Sequence, residues 1–324
     1  MIPVSVCLTT YNRASVLPAT LDSLLAQSFG DFELIISDDC STDRTEEVCR
    51  DYEAKDHRVK YFRNSNNLRM PGNLNAAIGR AAGAYIANVH DGDIYRHDLI
   101  AKWKEALDNM PDAFFVFNAY DAVNPDGSHK LYQEPFQFKV PGVHIAKIYF
   151  QSLTCCVWGT VMVRSQAYAD FGLFDPAFGF ISDVDMWLRL ARGRYAAYVP
   201  EPLITVTPRE PDHPFANYSW QHLFWQFGIY NWHVEDYQRT YPDLIAHSAG
   251  NYSLMLRRFY LRAMLSLIRY RKWERVQEGL AIWRDSSDPV LRRLGRLFGR
   301  SKWQPGWYDE RSWLMARSAE SVAV

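Results

Sequence analysis

Several signals that assign proteins to common classes are missing from this sequence. It contains five cysteines, none of them in the C-x-x-C spacing of a metal or redox site. No segment approaches about 18 uninterrupted apolar residues, so no membrane-spanning helix is predicted. The N-terminal stretch MIPVSVCLTTYNR also lacks the basic and apolar regions of a signal peptide. These absences predict a cytoplasmic protein with reduced thiols.

An excess of charge of one sign is lacking as well. The 36 basic and 37 acidic residues give a net charge of -1, which excludes a general affinity for polyanions. The distribution is uneven, because residues 257–302 contain thirteen Lys or Arg against four Asp or Glu. This basic, aromatic segment predicts either a solvated helix face or a peripheral contact with anionic membrane lipid or an anionic substrate.

The first 120 residues do contain a regular alternation of short apolar segments with amphipathic ones. The pattern predicts strands at 4–10, 32–39, 59–64, 84–90 and 113–118, and helices near 17–25, 44–52, 73–82 and 97–110. Such alternation indicates an α/β fold with a doubly wound, mostly parallel sheet, which binds ligands at the carboxyl ends of its strands. No G-x-G-x-x-G follows the first strand, so a Rossmann dehydrogenase is set aside.

The remaining residues are more mixed. Strands are predicted at 158–164 and 196–200, a helix at 183–192 and a proline-rich loop at 205–219. From about His222 the pattern is helical, and 256–283 is typical of a helical hairpin. The aromatic residues of this last region are compatible with an acceptor pocket, a homodimer interface or a bilayer contact.

Polar residues collect where three of the predicted strands end: at 9–13, at Asp38 and Asp39, and at 90–93. Asp91-Gly92-Asp93 offers two carboxylates on a glycine turn, an arrangement suited to Mg²⁺ or Mn²⁺ carrying a diphosphate. The alternative is an ordinary surface turn. The buried strand before it and the two other polar strand ends favour the metal site.

The segments VSVCLTTYNRASVLPATLDSLLAQSFGDFELIISDDCSTDRTEEV and GAYIANVHDGDIY together resemble the inverting family 2 nucleotide-sugar glycosyltransferases, which have a GT-A fold. The later segment FGLFDPAFGFISDVDMWLRL is similar to the acceptor-side block of that family. The resemblance implies a glycosyltransferase domain at 1–215, with a nucleotide-sugar-binding half at 1–120 and an acceptor-side half at 121–215. Residues 216–324 form a mainly helical C-terminal region.

The resemblance also implies roles for individual residues on the donor side. Asp39 is expected to accept a hydrogen bond from the base, and Asp91 to contact the ribose or a metal-bound water. Asp93 is expected to coordinate the metal that bridges the two phosphates. The remaining residues expected to frame the nucleotide sugar are Thr9, Tyr11, Arg13, Arg69, Trp158 and Arg209.

On the acceptor side the family has a Glu-Asp pair, and this sequence has Ser182-Asp183. Asp183 is expected to be the general base, and the loss of the Glu puts acceptor positioning in question. The structural alternative is that Asp183 only complements the positive end of a helix. His213 resembles a histidine of a mobile loop that approaches the metal and the diphosphate.

The substrates implied are a nucleoside-diphosphate sugar, with UDP preferred over dTDP and GDP, and a hydroxyl of a glycan, lipid-linked or other acceptor, as in polysaccharide and cell-envelope biosynthesis. A nucleotidyltransferase is disfavoured because TTYNRASVL lacks a Gly-rich, basic loop. A non-catalytic protein that binds sugar nucleotides remains the alternative, and Ser182 is the feature that favours it.

Overall fold

The computed structural model describes residues 2–207, 220–243, 252–284 and 289–299. The chain forms two compact units, Met1–Ala216 and Asn217–Val324. Within the described segments, no helix is both long and apolar enough to cross a membrane.

The strands of the first unit form one sheet with the order β3-β2-β1-β4-β9-β6-β10-β5, while β7 pairs with β6 and β8 pairs with β10. Their bounds are β1 Val4–Thr10, β2 Phe32–Asp38, β3 Val59–Arg63, β4 Tyr85–His90, β5 Ile94–Tyr95, β6 Ala113–Val123, β7 His129–Tyr132, β8 Lys139–Pro141, β9 Val161–Arg164 and β10 Tyr195–Val206.

The helices of the first unit are α1 Leu17–Leu25, α2 Thr45–Lys55, α3 Arg69–Ile78, α4 Leu99–Asp108, α5 Gly142–Ser152, α6 Ser165–Phe171 and α7 Ser182–Ala191. Those described in the second unit are α8 Trp220–Thr240, α9 Tyr252–Arg269, α10 Trp273–Arg284 and α11 Pro289–Phe298. The predicted hairpin corresponds to α9 and α10, since Tyr260 and Trp283 contact each other edge to face with ring centroids 6.4 Å apart.

The sheet is buried on both faces, which is why its central strands are almost continuously apolar. Alternate residues of β1 enter different layers: Val6 and Leu8 pack with α1 and α4, and Cys7 packs with α3 and α7. Strands β1 to β4 run parallel to one another, whereas β9 runs antiparallel to both β4 and β6. The mostly parallel sheet predicted from the sequence is therefore present.

Several predicted boundaries differ from those of the structure. Helix α3 spans Arg69–Ile78 rather than 73–82, with a non-helical ψ of 137° at Met70 near its start. Strand β6 continues to Val123 rather than ending at 118, and β9 begins at Val161 rather than residue 158. Residues 205 and 206, predicted to lie in a loop, belong to β10 through pairing with β6 and, at Thr205, with β5; residues 208–219 of that predicted loop lie outside the described residues.

Candidate active site at the carboxyl ends of the strands

The sheet register brings the polar strand ends level with one another. Thr9 of β1 is paired with Ser37 of β2 on one side and with His90 of β4 on the other. Thr9 is partly buried, whereas the side chain of Tyr11, just beyond the strand, is 46% exposed. The residues predicted to frame a nucleoside therefore share the edge of the sheet at which β4 ends.

The loops that follow β1 and β2 are joined by hydrogen bonds. The backbone N–H of Asn12 donates to Ser41 Oγ at 2.9 Å, and the N–H of Thr42 donates to Asn12 Oδ1 at 2.7 Å. Asn12 and Cys40 both have positive φ, at 53° and 65°. Asn is one of the few residues other than Gly that tolerates this conformation.

The two aspartates at the end of β2 have different environments. Asp38 is fully buried and accepts hydrogen bonds from the N–H and hydroxyl of Ser41 and from Tyr61 Oη, so it builds the turn. Asp39 Oδ1 accepts from the N–H of Leu68 at 2.7 Å, and Oδ2 accepts from the N–H of Arg69 at 2.8 Å. Asp39 thereby holds the segment that leads into α3 beside the carboxyl end of β2.

Arg69 meets Asp39 through its backbone, while its side chain is exposed. Arg69 has a positive φ of 58°. The predicted contacts of Asp39 with a base and of Arg69 with a donor remain predictions.

The Asp91-Gly92-Asp93 turn is fixed from two sides. Gly92 has a φ of 84°, which favours glycine, and its N–H donates to Thr20 Oγ1 at 2.9 Å. The Thr20 hydroxyl donates in turn to the carbonyl oxygen of Asp93 at 2.9 Å. Tyr95 Oη accepts from the N–H of His90 and donates to its carbonyl, both at 2.8 Å.

The two carboxylates of this turn differ in burial. The Asp91 side chain is 17% exposed, and its Oδ1 lies 3.7 Å from Arg13 Nε. The Asp93 side chain is fully buried, with Oδ2 3.8 Å from His90 Nδ1. Arg13, predicted on the donor side, is therefore close to the D-G-D turn.

The carboxylates of Asp91 and Asp93 suit a divalent cation whose other ligands are substrate phosphates and water. Across the described segments, no group of three or more His, Cys, Asp or Glu is placed to hold a metal by itself. Mg²⁺ is usually bound by one or two protein carboxylates together with substrate phosphates and water. Asp91 and Asp93 fit that pattern, and they do not form a preassembled protein-only site.

The predicted base reaches the same region from α7. Asp183 lies in the first turn of α7, and its Oδ1 accepts from the N–H of Val184 at 2.9 Å. A Cβ built on Gly159 would lie 2.7 Å from His90 Cε1 and 3.2 Å from Asp183 Oδ2. The imidazole at the end of β4 and the carboxylate of α7 therefore both lie next to the Cβ position of Gly159, where there is no room for a side chain.

Burial raises the pKa of Asp183 from 3.8 to about 7. A carboxylate with a pKa near neutrality is a stronger base than an exposed aspartate and is still partly ionised at neutral pH. Asp185, two residues later, is instead engaged by Arg189 at 2.9 Å and is almost fully buried. Of the two aspartates, Asp183 has the properties of an acid–base group.

Trp158 lies partly buried beside these groups. Its ring makes an edge contact with His90 at a centroid distance of 6.4 Å and a tilted contact with Tyr120 at 5.2 Å. Its Nε1–H is buried and finds no acceptor among the described residues. A buried unpaired donor in a native site is commonly satisfied by a ligand or water.

Two predicted site residues, Arg209 and His213, lie outside the described residues. Two further residues of the site, His90 and Thr20, were not assigned roles from the sequence, and Gly159 was expected only to lie with Trp158 beside the donor sugar. His90 precedes the D-G-D turn, and its position at the end of a buried strand was a usable signal. Thr20 gave none, because its role depends on Gly92, about 70 residues away in the chain.

We expect Gly159→Ala to reduce transfer activity while leaving the protein folded. The added methyl displaces the His90 ring or the Asp183 carboxylate, and misplacement of reacting groups by about 1 Å can lower a rate on the order of 10²-fold. Initial transfer rates of the two proteins measure the effect. Gly30→Ala is the matched control, because a Cβ there has no neighbour within 4 Å; equal rates for wild type and Gly159→Ala would contradict the expectation.

The sheet order is that of a GT-A fold, and comparisons with known proteins identify the family. The family model described as glycosyl transferase family 2 matches residues 5–172. The chain belongs to this family. It is 30% identical over 202 residues to EpsE of Bacillus subtilis, covering 60% of this chain and 69% of EpsE.

A shorter match joins it to the Campylobacter jejuni protein named GalNAc(5)-diNAcBac-PP-undecaprenol beta-1,3-glucosyltransferase, at 38% identity over 90 residues. This match covers 28% of this chain and 29% of the relative. Among solved structures, S. aureus TarS 1-349 in complex with UDP-GlcNAc has a TM-score of 0.59 at 20% identity, covering 79% of this chain and 71% of TarS. At that identity the likeness shows the shared fold.

Proposed function

We propose that this protein is an inverting glycosyltransferase that moves a sugar from a nucleoside-diphosphate sugar to a hydroxyl group of an acceptor. The observation that carries the proposal is that Asp183 and His90, at the polar end of β4, both lie next to the Cβ position of Gly159. It supports a reaction centre in which a base on α7 faces the donor side of the sheet. Family membership alone supports a glycosyltransferase without specifying these roles.

The proposed donor is a UDP-sugar. Asp39 is held in place just after β2, and a carboxylate there suits the imide N–H of uracil. TarS, which shares the fold, has been solved with UDP and with UDP-GlcNAc. The unpaired Nε1–H of Trp158 is available to a hydroxyl of the donor sugar.

The proposed acceptor is a glycan hydroxyl, with lipid-linked glycans as the first class to examine. The name of the Campylobacter jejuni relative describes a PP-undecaprenol-linked acceptor. Ser182, at the position where the family has Glu, is buried at the start of α7. It therefore leaves acceptor orientation to other groups.

The reaction is a single displacement. The acceptor oxygen forms a bond to the anomeric carbon as the bond from that carbon to the diphosphate oxygen breaks. Asp183 takes the proton of the acceptor hydroxyl, and the electron pair of the broken bond leaves with the nucleoside diphosphate. Attack opposite the leaving group inverts the anomeric configuration.

Mn²⁺ or Mg²⁺ is proposed as the cofactor, held by Asp91 and Asp93 together with the donor phosphates. When bound, such an ion neutralises negative charge on the departing diphosphate. Arg13 lies 3.7 Å from Asp91 and adds positive charge at the same place. His213, outside the described residues, is proposed as a further ligand.

Thermal unfolding of the full chain with UDP, dTDP, GDP, CMP and ADP, each with Mn²⁺, Mg²⁺ or EDTA, tests the proposal. A ligand of the native state adds about 2.7 kcal/mol of stability at a hundredfold excess over Kd. We expect UDP with a divalent cation to raise the Tm most, with CMP and ADP as controls. No shift with any nucleotide contradicts the proposed donor site.

A further inference from the structure

Helix α9 carries two apolar surfaces instead of one. Leu256, Tyr260 and Met264 recur every four residues and are buried. Tyr260 stacks on Phe227 of α8 with ring centroids 5.5 Å apart. This inner surface accounts for the packing of α9 within the second unit, so the apolar residues on the opposite side need a separate explanation.

Four large apolar residues line that opposite side. Leu254, Leu261, Leu265 and Ile268 are 46%, 37%, 66% and 40% exposed. Their spacings of seven, four and three residues place them along one stripe of an α-helix. Two exposed aromatic residues follow the helix, Tyr270 at 68% and Trp273 at 59% exposure.

Arginines border this stripe. Arg258 and Arg262 are exposed and fall on the same side of the helix as Leu254, Leu261, Leu265 and Ile268. We call these six residues the α9 outer face. The sequence of α9 contains four arginines and no acidic residue, so the charge of this surface is uncompensated within the helix.

We propose that the α9 outer face docks in the plane of an anionic lipid bilayer. An in-plane membrane helix combines an apolar stripe with a cationic border and has aromatic residues at the interface. The leucine and isoleucine side chains enter the acyl boundary while the arginines remain at the level of the anionic headgroups. Tyr270 and Trp273 lie at the end of the helix, where amphipathic rings suit the headgroup region.

A second copy of the chain is a poorer occupant. A two-fold symmetric contact places the same surface on both sides, so it brings the arginines of both copies into one interface, and α9 supplies no acid to pair with them. Cores of protein interfaces are also depleted in charge. Charge complementarity therefore favours anionic lipid headgroups over a second copy of the chain. This proposal does not depend on the proposed transfer reaction.

Co-sedimentation of the full-length protein with phosphatidylcholine vesicles, with and without phosphatidylglycerol, tests the proposal. We expect binding only when phosphatidylglycerol is present. Leu261→Gln with Leu265→Gln should abolish it, since both side chains are exposed and Gln keeps helix propensity. Arg258→Gln with Arg262→Gln should weaken it about thirtyfold, because each arginine near an anionic surface contributes roughly a factor of five.

Leu173→Gln is the matched control, because Leu173 is 41% exposed and lies in the first unit. This substitution should leave vesicle binding unchanged. Circular dichroism verifies that each variant is folded. The proposal is overturned if the wild-type protein does not bind at low ionic strength, or if both paired variants bind as well as wild type. It is also overturned if lipid-free sedimentation shows a dimer that the leucine pair abolishes, because the surface is then a contact between copies.

Discussion

Asp183→Asn is expected to retain donor binding and to lose transfer activity by a factor on the order of 10²–10⁴. The amide is similar in size to the carboxylate but cannot accept the proton of the acceptor hydroxyl. The rate of nucleoside diphosphate release, from the donor identified by thermal stabilisation, measures the loss. Donor affinity, measured separately by thermal stabilisation, should be close to wild type, because the proposed role of Asp183 is toward the acceptor hydroxyl.

The same substitution should stabilise the protein above neutral pH. Burial raises the folded-state pKa of Asp183 to about 7 from an ordinary value of 3.8. The favourable contribution of this group is therefore fully present below about pH 3.8 and is lost as the pH rises to about 7, where the carboxyl ionises in the folded protein. Asn does not ionise, so the Tm difference should favour Asp183→Asn at alkaline pH and shrink on acidification.

The wild-type rate should depend on pH in the opposite direction. A general base works in its ionised form, so activity should fall about tenfold per pH unit below the pKa of Asp183. The pH–rate profile measures this, with Tm determined in parallel. If acidification makes the protein more stable and less active, Asp183 contributes to the reaction and not to the stability of the fold.

Asp185→Asn is the matched control for this prediction. Asp185 is buried and paired with Arg189 at 2.9 Å, so the same substitution there should destabilise the protein. If Asp183→Asn transfers sugar at the wild-type rate, the base lies elsewhere. If it lowers the Tm at every pH, Asp183 is a structural residue.

The edge of the sheet at which β1, β2 and β4 end could be predicted from the sequence because its geometry is local. Parallel strands joined by short helices end at the same edge of a sheet, so locating the strands at Thr9, Ser37 and His90 was enough to bring their ends together. The Asp183 position was predicted by resemblance alone. Gly159 comes just before β9, which is antiparallel to β4, and its Cβ position lies next to both His90 and Asp183.

The boundaries that were missed were set by contacts between distant residues. Asp39, about thirty residues earlier in the chain, accepts the N–H groups of Leu68 and Arg69 and so fixes the segment that leads into α3. Local propensity contains no information about that acceptor. In the same way, Thr205 and Val206 lie in a strand because β6 offers Asp121 and Ala122 as partners.

Replacing either aspartate of the D-G-D turn is expected to have a large effect on metal-dependent UDP binding and on the transfer rate. If Asp91 and Asp93 hold the diphosphate-bound cation, Asp91→Asn and Asp93→Asn should each remove the part of UDP stabilisation that depends on Mn²⁺ or Mg²⁺. Stabilisation remaining in EDTA should be unchanged. Transfer should fall on the order of 10²–10³-fold, as when a group stabilising developing charge is removed.

Comparison of the two variants separates metal binding from turn formation, because their burial differs. Asp91 is 17% exposed and Asp93 is fully buried, so a purely structural Asp93 predicts a lower Tm with intact metal dependence. A ligating Asp93 predicts loss of metal dependence whatever happens to the Tm. Asp126→Asn is the control, since Asp126 lies in an exposed turn and accepts only local hydrogen bonds from Ser128. Metal-dependent UDP binding that survives in both D-G-D variants would contradict the prediction, because the metal ion would then bind away from this turn. The positive charge beside the turn would in that case come from Arg13.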